Sequence, residues 1–275
     1  MKNYPARITC YIIVFIAVII VIVPLSLVIL MSLSDWSAFQ KNVFSIFETG
    51  PQWSNYLEAW TVGKMGPYFK NTIIVLAMSL FMTNFSASLL AFSIKEFGKK
   101  FSNIMYYVVL AGMFIPVQAL MLPLYNTMSS LGLLNTYFGL ALVCSGMSLP
   151  LATMLYAGFY RNLPKEMLEA AEIDGCSSFG SYLRIAIPLS KTIITTVSIL
   201  SGLTIWKDFY INIIIISDVK MKLISTSMLS FVSEYTTNWS GVCAAMVVQS
   251  IPIITIYLIL QKQFVNGITA GAVKG

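Results

Sequence analysis

Six stretches of mainly apolar residues, each about as long as a membrane is thick, constrain this sequence more than any other feature. A helix needs about 20 mainly apolar residues to cross roughly 30 Å of hydrocarbon. The stretches of this length lie near residues 8–31, 69–92, 104–124, 137–159, 193–216 and 239–260. Only 10% of the residues are charged, against about 25% in soluble domains. The sequence therefore predicts an all-α polytopic membrane protein with six transmembrane helices.

The first apolar stretch is expected to stay in the protein. Lys2 and Arg7 precede it, as basic residues precede a secretory signal. Its apolar core, however, is longer than the 7–15 residues of a signal peptide, and no pair of small residues at cleavage spacing follows it. We interpret this stretch as the first transmembrane helix.

The positions of the basic residues predict how the helices are oriented. Eleven of the seventeen Lys and Arg residues fall at the two termini and in the loops after the second and fourth stretches. Loops rich in Lys and Arg face the cytoplasm. Both termini are therefore expected in the cytoplasm, and membrane topology accounts for the net charge of +6 without a nucleic-acid partner.

The loops leave no room for a soluble domain, so residues 1–275 are expected to form a single transmembrane domain. The longer loops are residues 32–68 and 217–238 outside and residues 160–192 inside, and a short tail follows at 261–275. The sequence has no His and no cluster of Cys with acids at ligand spacing, which argues against a metal or catalytic-histidine site. It also has no phosphate-binding loop of the G-x-x-x-x-G-K-[ST] type.

A charged pair, Lys207 and Asp208, lies within the fifth apolar stretch. Charges inside a membrane usually mark function. Adjacent side chains on a helix point about 100° apart, so this pair cannot easily share one partner. A helix break or a water-lined position is expected here.

Other helix-breaking and polar residues also interrupt the apolar stretches. Prolines, which can kink membrane helices when neighbouring groups satisfy the freed backbone, are Pro24, Pro116, Pro123, Pro150 and Pro252. Uncharged polar residues are Asn71, Asn84, Gln118, Asn126, Asn212 and Gln249. Hydrogen bonding between helices, at about 1 kcal/mol each, is the commoner role for such side chains, and ligand contact is the alternative.

The inner loop, residues 160–192, is predicted to form a helix, a sharp turn and a second helix. Pro164 suits a first helical turn, Gly175 a helix end, and Ser177 or Ser178 can cap a second helix that runs to Pro188. Two small residues, Ala170 and Ala171, leave a smooth patch among the acids Glu169, Glu172 and Asp174. The residues alone allow either a docking surface for another protein or a solvated helix on the membrane.

The same loop resembles the EAA signature of membrane subunits of bacterial ATP-binding-cassette importers. The match is Glu169-Ala170-Ala171, Gly175, Ile185 and Ile187-Pro188 at the signature's spacing, with Ile187 where Leu is usual. More of the chain is similar to the shorter, six-span carbohydrate permeases of the maltose and multiple-sugar type: Asn55-Tyr56, Asn71-Thr72, Ile115-Pro116, residues 122–125, residues 131–133, Pro252 and the tail 264–275. Two departures are Leu168, where a second Glu is common, and Lys207, where Asn is common.

The resemblance implies an importer subunit that catalyses no covalent change. The inner loop would be a coupling helix that docks on an ATPase subunit, with contacts from Glu169, Ala170, Ala171, Asp174, Gly175 and Pro188. Tail contacts to the ATPase pair would come from Gly271, Lys274 and Gly275. The implied partners are a second permease, two copies of an ATPase that bind ATP and Mg, an extracytoplasmic sugar-binding protein and membrane lipid, all at the bacterial cell membrane.

The route of the solute is less well defined by the sequence. Residues that could line a sugar path are Tyr125, Trp206, Asp208, Tyr210, Asn212 and Gln249. Residues 223–232 resemble the family's contact with the binding protein, and packing against the membrane surface is the alternative. Two other functions stay open: ATP-driven import of a non-sugar solute, and an ion-coupled secondary carrier, which predicts buried ion sites not found here beyond Asp208.

Overall fold

The computed structural model describes residues 4–96 and 99–272, and most of these residues are helical. Within these ranges there is no β-strand, only an isolated antiparallel bridge between Val232 and Thr237. The all-α prediction is confirmed. The α-helices are α1 (Tyr4–Ser32), α2 (Trp36–Lys41), α3 (Ile46–Thr49), α4 (Ser54–Thr61), α5 (Met65–Glu96), α6 (Lys99–Ala111), α7 (Val117–Ser130), α8 (Tyr137–Arg161), α9 (Lys165–Ile173), α10 (Ser178–Ser181), α11 (Ile187–Leu189), α12 (Lys191–Lys207), α13 (Tyr210–Ile215) and α14 (Trp239–Ala272).

Four of these helices are long and apolar enough to cross a membrane, within Arg7–Ser32, Met65–Lys95, Tyr137–Arg161 and Trp239–Ile259. Two bent pairs also qualify if each pair counts as one span: Lys100–Phe114 with Val117–Ser130, bent by 103°, and Ser178–Leu189 with Lys191–Lys207, bent by 76°. The described residues thus contain four to six candidate spans. The number six and the cytoplasmic termini stay predictions.

The predicted third and fifth spans are interrupted rather than continuous. In the third, α7 starts only after Pro116, because a proline disfavours helical backbone at the residue before it, and Ile115 is extended at φ −87° and ψ 117°. In the fifth, α12 ends at Lys207 and Asp208 is extended at φ −66° and ψ 119°. The break predicted at the charged pair is confirmed. The other four prolines named above lie inside helices α1, α7, α8 and α14, at Pro24, Pro123, Pro150 and Pro252.

The chain divides into two compact units. Unit 1 contains the chain up to Gly66 and Thr226–Pro252, and unit 2 contains Pro67–Ser225 and the chain from Ile253. In unit 1, the Asn55 amide donates to the carbonyls of Ser32 and Ser34, each at 3.0 Å, and so fixes α4 against the end of α1. The most apolar part of the first candidate span, within Arg7–Ser32, has no buried residue.

Unit 2 is built on α5, α8 and α12, which share two apolar clusters. The Asn71 amide of α5 donates to the carbonyls of Lys220 and Lys222 at 2.8 and 3.0 Å, and its carbonyl oxygen accepts from the Tyr137 hydroxyl at 2.8 Å. This one buried amide joins α5, α8 and the loop after α13. That three-way contact gives the Asn71-Thr72 pair a structural role.

Candidate coupling site and transport path

The inner loop forms two helices joined by a tight turn, and we call residues 165–189 the elbow. The first helix, α9, ends two residues before Gly175. The backbone N–H of Cys176 reaches back to the carbonyl of Ala171 at 2.8 Å, which closes the helix end. Gly175 has φ +80°, a left-handed conformation that strains residues with a Cβ. The predicted helix, glycine stop and second helix are confirmed.

The second half of the elbow starts at Ser177 and contains a π-helical turn. The Ser177 hydroxyl oxygen accepts a hydrogen bond from the backbone N–H of Gly180 at 3.2 Å, so Ser177, of the two candidate serines, caps α10. The π-helical turn follows at Tyr182–Ala186, and Pro188 lies exposed in the last turn. Single π-helical turns often occur at functional sites.

The first helix of the elbow has one buried face and one exposed face. Leu168 and Ala171 are only 8% and 9% exposed, whereas Glu169 and Ala170 face outward. The expected smooth patch of two alanines is wrong, because adjacent residues point about 100° apart and Ala171 turns inward. Other exposed residues of this half are Glu166, Met167, Ile173 and Asp174. Ile173 is 87% exposed and belongs to neither apolar cluster of the described residues.

The buried side of the elbow belongs to one apolar cluster with α5, α8 and α12. Leu168, Tyr182 and Ala186 of the elbow are members of this cluster. Their partners are Ala87, Ala91, Phe92, Ala152, Tyr156, Ala157, Tyr160, Leu163, Ile193 and Val197. A side chain buried among close-packed neighbours cannot move independently of them. The elbow is therefore attached to three long helices of unit 2.

Two predicted path residues, Asp208 and Asn212, are brought together by Ser225. The Asp208 carboxylate accepts from the backbone N–H of Ile211 at 2.9 Å and caps α13. The Ser225 hydroxyl donates to the Asp208 carbonyl at 2.6 Å, and the Asn212 amide donates to the Ser225 hydroxyl at 3.5 Å. Asn212 is 1% exposed. These contacts give both residues structural roles, and a role in solute contact stays a prediction.

Trp206 lies at one end of a cavity of about 320 Å³ between α5, α12 and α14. Its ring packs edge-on against Phe69, with centroids 5.6 Å apart. The cavity walls are otherwise mainly aliphatic: Leu76, Leu80, Ile194, Thr195, Ser198, Ile199, Gly202, Leu203, Ile253 and Ile256. Of the six predicted path residues, Trp206 is the one that lines this cavity.

The remaining predicted path residues do not line this cavity. Tyr125 on α7 and Tyr210 on α13 are 43% and 53% exposed. Gln249 lies half-buried on α14 in unit 1. Lys207 is exposed, and the helix break lets it diverge from the partly buried Asp208.

The predicted binding-protein segment, residues 223–232, is mostly buried within the chain, and its contact with a binding protein stays a prediction. Leu223 and Ile224 are each 2% exposed, and the Ile224 N–H is bonded to the Thr72 hydroxyl oxygen at 2.9 Å. Ser230, Val232 and the turn that follows are exposed, with Val232 at 48% and Tyr235 at 92%.

The tail is partly described. Helix α14 continues to Ala272 and includes Gly271, while Lys274 and Gly275 lie outside the described residues. The tail contacts stay predictions.

Sequence reasoning misses a set of hydroxyl and amide groups that connect α5, α8, α12 and the elbow. It identifies Asn84 only as a polar candidate and does not single out Ser88, Tyr156, Tyr182 or Ser198. Helical spacing is a usable signal for part of this set, because Asn84 and Ser88 are four residues apart and share one face of α5.

Residues 83–270 match the family model for binding-protein-dependent transport system inner membrane components. The chain belongs to this family. The permease is 35% identical over 247 residues to the probable ABC transporter permease protein YurM of Bacillus subtilis (strain 168), covering 87% of this chain and 81% of YurM. It is 32% identical to the melibiose/raffinose/stachyose import permease protein MelC of the same strain, over 84% of each chain.

The fold of the permease is similar to that of a solved bacterial ABC transporter chain involved in the import of the acidic polysaccharide alginate. The TM-score is 0.80, over 96% of this chain and 99% of that chain, at 17% sequence identity. The matched family region includes the elbow, so the EAA resemblance and the family assignment agree. The permease is thus a multi-pass inner-membrane component of an ABC transport system.

Proposed function

We propose that the permease is the membrane-spanning subunit of an ATP-driven, binding-protein-dependent saccharide importer. It has six spans, with each bent pair as one span and both termini in the cytoplasm, and residues 1–275 act as one transmembrane domain. A second permease subunit forms the other half of the pathway. The names of MelC, an oligosaccharide import permease, and of the alginate importer support a saccharide as the solute.

The observation that carries the coupling role is the two-sided elbow. One side is buried with α5, α8 and α12, and the other presents Glu169, Ala170 and an 87% exposed Ile173. A large apolar side chain that is exposed beside acids suits contact with another protein better than contact with an anionic membrane surface. Two ATPase copies, which hold ATP and Mg, bind this face and its counterpart on the second permease.

Specific residues have distinct parts in this coupling. Glu169 and Asp174 make polar contacts with the ATPase, and Gly175 provides a turn that a Cβ would strain. Pro188 lies in the last turn of the elbow, before the 76° bend into α12. Gly271, Lys274 and Gly275 contact the ATPase pair from the tail.

The outer face receives the saccharide from an extracytoplasmic binding protein. The exposed end of the 223–232 segment, at Ser230 and Val232, makes this contact together with the exposed turn at residues 233–236. Its backbone is held by hydrogen bonds between Ser233 and Thr236, which leaves the Tyr235 side chain projecting outward.

Reconstitution of the complete complex in liposomes tests the proposal. With ATP on the cytoplasmic side, we expect uptake of at least one of melibiose, raffinose, stachyose and alginate oligosaccharide, dependent on the ATPase and the binding protein. Uptake by the permeases alone under a sodium or proton gradient would contradict the proposal, as would the absence of ATP-driven uptake of every saccharide in this set.

Two substitutions test the elbow, each with a matched control. Glu169→Lys and Gly175→Asp should abolish uptake while the protein still inserts in the membrane. Gly132 has a similar backbone, φ +67°, with nothing within 4 Å of an added Cβ, so Gly132→Asp imposes similar strain away from the elbow. Exposed Glu58 on α4 provides the charge-reversal control, Glu58→Lys. Normal uptake by both elbow variants would refute the docking role.

A further inference from the structure

A series of buried hydrogen bonds joins the elbow to the long helices of unit 2. Asn84 and Ser88 lie one turn apart on α5, and Tyr156 and Tyr160 lie one turn apart on α8. Residues four apart on a helix share one face, so each pair lines a single seam.

The first bonds of this series connect α5, α8 and α12. The Tyr156 hydroxyl donates to the Asn84 carbonyl oxygen at 2.7 Å, and the Asn84 amide donates to the Ser198 hydroxyl at 3.0 Å. This part holds three long helices together and does not include the elbow.

The next bonds involve the elbow and the residue that follows it. The hydroxyls of Tyr182 and Ser88 are 2.7 Å apart, and the Ser190 hydroxyl donates to the Tyr160 hydroxyl at 3.2 Å. Tyr182 is the first residue of the π-helical turn. The bond to Ser88 therefore links the elbow directly to α5, across 94 residues of sequence.

Packing alone does not explain these hydroxyl groups. Tyr182 and Ser88 are each 1% exposed, and phenylalanine and alanine could replace them with almost the same shape. Burying a polar group costs free energy unless it is hydrogen-bonded. Unlike an apolar contact, a hydrogen bond requires a narrow distance and a preferred angle between its two groups. The pair therefore fixes the distance and direction of the elbow relative to α5.

Open space lies beside this bond, so the bond helps to determine how far the elbow lies from α5. A cavity of about 420 Å³ is bordered by α5, α8, the elbow and α12, and both Ser88 and Tyr182 line it. Leu183 and Ile187 of the elbow line it too. Tyr182 also packs against Phe92 of α5, with ring centroids 5.4 Å apart. The hydroxyl pair therefore adds to the apolar contacts of the elbow with α5 and borders open space on one side.

We propose that the Tyr182–Ser88 hydrogen bond positions the elbow against α5 and sets how much of the elbow's ATP-driven movement reaches the transport path. Both are positioning residues: they touch neither the solute nor ATP. The proposal rests on the proposed function and adds to it the residue pair through which movement passes to α5.

The ratio of saccharide molecules imported to ATP molecules hydrolysed tests this proposal. In the reconstituted complex, Tyr182→Phe and Ser88→Ala should each lower this ratio about fivefold, the factor that one net neutral hydrogen bond represents, with ATP hydrolysis retained. The double variant should be no worse than either single variant, because both remove the bond between the elbow and α5. Ser88→Ala also removes a bond of 3.2 Å to the Phe85 carbonyl within α5, which calls for a control that loses only a bond of that kind.

Matched controls lack this connection. Among the described residues, the Ser93 hydroxyl, on the same helix as Ser88, bonds only to the Leu89 carbonyl of that helix, at 2.9 Å. Ser93→Ala should therefore keep the normal ratio. Tyr107 is 67% exposed, and Tyr107→Phe should also be normal. An unchanged ratio in the Tyr182 and Ser88 variants, an additive double variant, or a proportional loss of hydrolysis and uptake would each overturn the proposal.

A distance measurement tests the same bond without any saccharide, and so separates it from the proposed function. Spin labels at exposed Ser178 on the elbow and Ile73 on α5 report whether the two move together when the assembled complex binds ATP. We expect an unchanged distance in the otherwise unaltered complex and a shifted distance in Tyr182→Phe. The same response in both would overturn the proposal. If the wild-type complex imported no saccharide, but the distance change on ATP binding still differed between the wild type and Tyr182→Phe, only the proposed function would be contradicted.

Discussion

Thr72 and Ile224 are joined across 152 residues by a buried hydrogen bond, in which the Ile224 backbone N–H donates to the Thr72 hydroxyl oxygen at 2.9 Å. The Thr72 hydroxyl in turn donates to the Tyr68 carbonyl within α5, at 2.7 Å. Through Thr72, the first turns of α5 hold the buried segment that follows α13. This contact explains why residues 223–225 lie inside the protein and not on its outer face.

Replacing Thr72 should therefore destabilise unit 2. Thr72→Val keeps the shape but leaves the Ile224 N–H buried without its acceptor, which costs about 1–3 kcal/mol. Thermal unfolding of the detergent-purified permease would measure this loss. The exposed Thr127 bonds only to the Pro123 carbonyl of its own helix, so Thr127→Val should unfold like the wild type. Equal stability of the two variants would contradict the role of Thr72.

Asp208 should act as a helix cap and not through its charge. Asparagine also caps helices well, so Asp208→Asn should keep stability and uptake close to normal. Asp208→Ala should cost about 1 kcal/mol, because the Ile211 N–H loses its partner. Paired uptake and unfolding measurements separate the roles. If Asp208→Asn folded normally but lost uptake, the carboxylate charge would have to act in transport.

Gly241 should tolerate no side chain. A Cβ at this position would overlap the Phe231 ring, which packs against α14 within unit 1. Gly241→Ala is expected to cost about 1–3 kcal/mol through overpacking. Gly146 in α8 is a matched helical control with nothing within 4 Å of an added Cβ, and Gly146→Ala should be neutral or slightly stabilising. Unfolding curves of both variants check this pair, and a neutral Gly241→Ala would show that the Phe231 contact is not tight.

Local signals predict the elbow well because its structure is determined by nearby residues. Gly175 and Ser177 specify the helix end and the next cap through contacts within five residues. Leu168, a departure from the family's usual Glu, has a different explanation: it lies on the buried face of α9, 8% exposed, in the cluster with the distant helices α5, α8 and α12.

Contacts between distant parts of the chain cannot be predicted in the same way. The sequence marks Asn71 as polar, but its bonds to the Lys220 and Lys222 carbonyls join positions about 150 residues apart. The sequence also does not predict the angle at Pro116. A proline can produce a mild kink or, as here, a 103° bend, depending on packing. Helical spacing shows which residues share a face, but not which helix each face meets.

Photo-cross-linking from Ile173 in the assembled complex tests the central claim most directly, since this residue is 87% exposed on the outward face of the elbow. A photoreactive amino acid in place of Ile173 should form a covalent adduct with the ATPase subunit. The same amino acid in place of Val219, 45% exposed on the predicted outer side, should form none. A permease that assembles with its ATPase but cross-links from Ile173 only to lipid, or not at all, would contradict the coupling role of the elbow.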